Sequence, residues 1–187
     1  RTESIIARSV SVVDRELRAT FPQDYDKRCM YAVFGLRSLF HDVGVSASIH
    51  GGDFLAFVVA RTEQRAGMQG FGYGAEEPSH YWIETEEFLI DLGPHYLPRS
   101  SSFPAAPMPV VAWRRNEPLP LYLRYRLRIN FAPTVELRAD ETITTRMNNF
   151  VARCKARNHA QNGQPKPPSW LLTGAASLLS SARSGDV

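Results

Sequence analysis

Apolar and polar positions divide the chain into helical and extended stretches. Residues 5–20 place Ile5, Ile6, Val12, Val13 and Leu17 on what can be one helix face, and Phe21-Pro22 ends that pattern. A second apolar run opens at Cys29 and continues from Met30 to Phe40, with Val33, Leu36, Leu39 and Phe40 at helical spacing. Gly44 stands just past its end, so the run predicts a buried helix that starts close to Cys29. Period-two alternation then takes over. Val45–His50 and Phe54–Ala60 read as strands around a Gly51-Gly52-Asp53 turn. His80–Glu84 and Phe88–Asp91 read as two short strands around Thr85-Glu86-Glu87. Leu121–Ile129 is the cleanest alternation. Leu121, Leu123, Tyr125, Leu127 and Ile129 are expected on a buried face, with Tyr122, Arg124, Arg126 and Arg128 on the other. Asp140–Asn158 returns to helical spacing, with Ile143, Met147, Phe150, Val151 and Cys154 on one side.

Three stretches carry no such period. Gly67–Gly74 holds four glycines in eight residues and predicts a flexible loop. Pro94–Pro109 is rich in Pro and Ser and predicts a long surface connection. The chain from Asn162 onward reads as a poorly ordered or docked tail. The order helix, helix, antiparallel strands, helix predicts an α+β fold in which a helix packs on an antiparallel sheet. It spans one domain over residues 1–160, followed by a Pro/Ser/Ala-rich tail over 161–187.

Composition narrows the class. The 187 residues are 43% hydrophobic, 11% aromatic and 22% charged, which excludes disordered, collagen-like and coiled-coil chains. No apolar run nears the roughly 20 residues a membrane helix needs, and no signal-peptide pattern opens the chain. Two cysteines allow at most one bridge, and free thiols in a reducing, cytoplasmic setting are the simpler reading. The net charge of +3 hides an asymmetry. Residues 1–98 carry 9 Lys/Arg against 14 Asp/Glu, and residues 99–166 carry 12 against 4. A basic second half suits an acidic partner or nucleic acid. However, only Tyr122 joins the arginines Arg124, Arg126 and Arg128 on their face, and no nucleic-acid motif is present. A solvated sheet face is the expectation there.

The chemistry-bearing set is Cys29, His80 and Asp91. Cys29 stands at a predicted helix N-terminus, where the helix dipole favours a thiolate. His80 begins a strand and Asp91 ends the next, so a tight hairpin brings them side by side. Asp91 can orient the imidazole, and His80 can take the thiol proton. Trp82 and Glu84 alternate onto the His80 face, and Tyr81, His95 and Gly72 are further candidates for lining a cleft. The glycine loop beside His80 is a candidate lid. Cys154 reads as a core residue. His41, His50, His80 and Asp91 lack metal-ligand spacing, so neither a metal nor another cofactor is expected.

Three stretches carry a family resemblance: Arg28-Cys29-Met30-Tyr31, His80-Tyr81-Trp82-Ile83-Glu84 and Leu89-Ile90-Asp91-Leu92-Gly93. In order and spacing they resemble the transglutaminase-like and papain-like cysteine enzymes. The second and third are similar to motifs of bacterial transglutaminase-like proteins, and the third also to arylamine N-acetyltransferases. The resemblance covers roughly residues 20–98. It lacks the Gly- and Trp-rich flank of papain-type peptidases and the Arg-Gly-Gly-x-Cys lead-in of the acetyltransferases. It implies a papain/transglutaminase-like fold and a Gln six residues before the nucleophile as oxyanion donor, and Gln23 holds that spacing. The implied activity is a thiol hydrolase acting on a peptide or small amide through an acyl-thioester. Two alternatives stay open. One is an acyltransferase with the same triad, and the other is a binding module whose basic half docks an acidic partner.

Overall fold

The computed structural model describes residues 2–71, 80–128, 141–163 and 171–174. Helix α1 (Thr2–Thr20) and helix α2 (Cys29–Asp42) come first, joined through a 3-10 turn at Tyr25–Lys27. Strands β1 (Ala47–Val59), β2 (Ala66–Phe71), β3 (His80–Thr85) and β4 (Phe88–Asp91) follow. Helix α3 (Gly93–Ser100), strands β5 (Val110–Arg114) and β6 (Leu123–Leu127), helix α4 (Glu141–Ala160) and the short strand β7 (Leu171–Leu172) complete it. The architecture is α+β: four α-helices and a curled, mostly antiparallel sheet among the described residues. No helix among them is long and apolar enough to cross a membrane.

The hydrogen-bonded path through the sheet runs β2–β1–β3–β4–β5–β7, with β6 also on β1. β1 is long enough to take three partners. Gly52 pairs with both His80 and Leu127, and Phe54–Ala56 pair with both β2 and β6. A strand has two edges, so β2 and β3 share one and β6 takes the other. Phe71 faces Phe54 while His80 faces Gly52, so the chain leaves β2 and re-enters as β3 two positions apart on β1.

Both sheet faces are covered. Alternation along β3 and β4 sends Tyr81, Ile83, Phe88 and Ile90 toward α1, α2 and α4. It sends Trp82 and Leu89 to the opposite face, with Phe54, Val111, Trp113 and Leu123. Helix α2 is buried over Tyr31–Leu36, Leu39 and Phe40, whereas α4 offers only the stripe Met147, Phe150 and Cys154. Ile143, assigned to that stripe by periodicity, is exposed one turn before it.

Five expectations change. Gly51-Gly52-Asp53 is not a turn, because β1 runs straight through it. Glycine is needed there for close approach: a Cβ at Gly52 would strike the Arg126 carbonyl and come within 3.0 Å of the Trp82 ring. The glycine-rich stretch is strand, not loop, as far as Phe71, since Ala66–Phe71 pair residue by residue with Phe54–Val59. Positions 72–74, including the cleft candidate Gly72, lie outside the described residues. The Pro94–Pro109 connection contains α3 and buries Leu97, Phe103, Ala105 and Met108 against the sheet. Finally, the alternation over residues 121–128 does not bury one side, and Ile129 lies outside the described residues. Leu121 is 97% exposed and Leu127 51%, while Leu123 is buried. The arginine face is also not simply solvated, because Arg126 Nε (2.8 Å) and Arg128 Nη2 (3.1 Å) donate to the buried carboxylate of Asp53. Within the expected tail, Leu171–Leu172 pairs in parallel with β5.

Candidate active site

Cys29 is the first residue of α2, and the Arg28 carbonyl ahead of it accepts the Ala32 N–H at 3.0 Å. The Cys29 backbone N–H is therefore among the unpaired donors of a helix start, at the positive end of the dipole. The run Met30–Phe40 buries the helix behind it, which fixes where that end lies. Cys29 is partly exposed and its thiol is free.

His80 opens β3 and is buried, with 1% of its side chain exposed. Ile83 pairs with Ile90 and Glu84 with Leu89. Continued by two residues, that register puts Asp91 diagonal to His80 on one sheet face, within side-chain reach. The contact is made: His80 Nε2 lies 2.7 Å from Asp91 Oδ2. The Cys29 thiol is within hydrogen-bonding reach of the same ring. With Nε2 on Asp91, Nδ1 is the nitrogen left for the sulfur. Burial works against a charged imidazole here, but the Asp91 charge and hydrogen bond, with a contribution from Cys29, outweigh it and push the His80 pKa up to about 10.

Asp91 is fully engaged. Besides His80, its Oδ2 accepts the Tyr125 hydroxyl at 2.7 Å, and its Oδ1 accepts the Gly93 backbone N–H at 2.8 Å. Gly93 is required by space: a Cβ there would run into the His80 ring and stand 3.1 Å from Asp91 Oδ1. The glycine of the Asp-Leu-Gly stretch thus makes room for the histidine. Phe54 (5.3 Å between ring centroids) and Trp82 (6.4 Å, near-parallel) pack around His80 and keep water from the His80–Asp91 pair.

The sequence candidates separate accordingly. Cys29, Asp91 and Tyr81 line one small cavity with Asp26, Leu92, Gly93 and Tyr96. Trp82 is buried beside His80, and its indole N–H donates to Glu84 at 3.1 Å. Gln23 is exposed in the turn before Tyr25–Lys27, and its carbonyl accepts from Arg99 at 2.6 Å. His95 is not brought to the cavity, because its Nδ1 donates to the Met108 carbonyl at 2.9 Å. His41 is exposed at the end of α2, and His50 lies 3.7 Å from Glu84. Among the described residues no group of three or more His, Cys, Asp or Glu is arranged to hold a metal ion. Cys154 is buried, and burial together with nearby Glu16 pushes its thiol up to about 12. Sequence reasoning assigned Tyr125 to the core and missed its bond to Asp91. It also missed Asp26, whose buried carboxylate Arg99 meets at 3.1 Å.

No family model and no curated protein matches this chain. A solved structure is similar. It is described only as the crystal structure of "genomics APC5867", and it matches 90% of this chain and 84% of its own with a TM-score of 0.58 at 16% identity. That likeness speaks to the α+β fold alone.

Proposed function

We propose that the protein is a thiol hydrolase of peptide or small amide bonds, with a papain/transglutaminase-like arrangement of its helix and sheet. One observation carries the reading: a buried histidine held between a fully hydrogen-bonded carboxylate and a half-exposed cysteine at a helix N-terminus. That combination favours an imidazolium–thiolate pair. The Cys29 sulfur attacks the substrate carbonyl carbon, and the tetrahedral oxyanion is met by the Cys29 backbone N–H and the Gln23 amide. As the C–N bond breaks, His80 gives its proton to the departing amine and an acyl-thioester remains on Cys29. Water, losing a proton to His80, then attacks the thioester. The carboxylic acid leaves and the thiol is restored. Asp91 keeps the imidazole in the tautomer that presents Nδ1 to sulfur.

The test uses p-nitrophenyl acetate as the acyl donor, with and without a primary amine. An acetyl adduct on Cys29 by mass spectrometry, with continuing nitrophenolate release in water alone, supports the hydrolase. Turnover only when the amine is present assigns an acyltransferase instead. No adduct in wild type, or the same adduct on Cys154, overturns both.

A further inference from the structure

Tyr125 lies on β6, across β1 from the strands that carry His80 and Asp91. Its neighbours Arg126 and Arg128 are both committed to Asp53, which anchors the strand on β1. Its ring packs against Phe54 (5.0 Å) and edge-on to Trp82 (5.1 Å), the same two rings that flank His80. The hydroxyl reaches Asp91 Oδ2 at 2.7 Å, and that same oxygen holds His80 Nε2. Burial, then the Asp91 charge, hold the phenol protonated well above its ordinary range, so it is a donor at every working pH.

We propose that Tyr125 is a positioning residue of the Cys29–His80–Asp91 system, whose hydroxyl fixes the Asp91 carboxylate and takes up part of its charge. The inference rests on the hydrolase reading above. A carboxylate bonded on one side by Gly93 N–H and on the other by His80 can still swing about its Cγ. A third donor on Oδ2 removes that freedom. It also competes with His80 for the same lone pairs, which loosens the grip of Asp91 on the imidazolium. The histidine must release its proton to a leaving amine, so a carboxylate without this restraint holds that proton too firmly.

The test follows the His80 imidazole by NMR, assigned with a His80→Gln spectrum, in wild type, Tyr125→Phe and Leu123→Ala. Tyr125→Phe keeps the ring and removes the donor. It is expected to raise the His80 midpoint by about half to one pH unit. Leu123→Ala disturbs the packing of β6 without touching Asp91, and should leave the midpoint unchanged. Replacing Tyr125 by 3-fluorotyrosine, a stronger donor of nearly the same shape, should lower the midpoint, and it decides the matter if Tyr125→Phe does not fold. A His80 midpoint identical in wild type, Tyr125→Phe and the fluorotyrosine protein overturns the inference. Equal shifts in Tyr125→Phe and Leu123→Ala also overturn it, because packing alone then explains them. The hydrolase reading is tested by a separate observation, and it fails if Cys29 is not acylated in wild type. Acylation with an unmoved midpoint sinks only the role of Tyr125.

Discussion

Asp91 accepts three hydrogen bonds, from His80, Tyr125 and the Gly93 backbone. Changing it to Asn removes the charge and leaves one acceptor oxygen where two serve three donors, so either Gly93 or His80 meets an N–H and the imidazole loses the carboxylate that fixes its tautomer. Asp91→Asn is expected to fold and to lower ester turnover by about 10³–10⁴-fold in kcat. Gly93→Ala acts on the same pair through space, since its Cβ lands on the His80 ring. It should cost about 1–3 kcal/mol in urea unfolding. The Cys and His motifs and the Asp-Leu-Gly stretch could be read from the sequence because each is local and its spacing survives folding. The Tyr125 bond could not. It joins positions 34 apart, and alternation alone gave that residue only a place in the core.

At the scale of elements, α3 ties the two halves of the site together. It starts at Gly93, beside Asp91, and ends near Arg99. The Arg99 guanidinium donates to the Gln23 carbonyl at 2.6 Å, meets Asp26 at 3.1 Å and lies 4.4 Å from the Tyr25 ring centre. Three points of the loop that delivers Cys29 are thus held by one side chain. Arg99→Ala leaves the Asp26 carboxylate buried without this partner, at a cost of about 1–3 kcal/mol. Hydrogen exchange should quicken in the segment 22–30 and stay unchanged in β3 and β4; uniform acceleration would contradict the local role. Proline and serine hid α3 from sequence reading. Pro94 fits a first helical turn, and the burial of Leu97 and Phe103 depends on sheet contacts no local pattern reports. The same holds for Gly51-Gly52. Turn chemistry was the local signal, and the Arg126 carbonyl that demands a bare backbone comes from 74 residues further on.

For the whole molecule, the buried His80–Asp91 pair links protonation to stability. The histidine value rises from 6.5 to about 10 on folding, with burial opposing the charge and Asp91 and Cys29 favouring it. A raised folded value gives stability that is complete below about 6.5 and is lost as pH climbs through about 10. The Tm advantage of wild type over a His80→Gln/Asp91→Asn double variant should therefore shrink between those two pH values. An advantage constant across that window would mean the pair does not titrate as the geometry requires. Helices α1, α2 and α4 and the β3–β4 hairpin were legible because each rests on its own periodicity. The sharing of β1 among three strands was not, since it is a property of pairing across the chain.

A reactive Cys29–His80 pair underlies the proposed chemistry. Its most direct measurement is the pH–rate profile of iodoacetamide labelling, resolved by mass spectrometry with buried Cys154 as internal control, in wild type and His80→Ala. Fast labelling of Cys29 at pH 6 is expected, lost without His80, while Cys154 stays unlabelled. Slow labelling of Cys29 that climbs only above pH 8 and is unchanged in His80→Ala would contradict it.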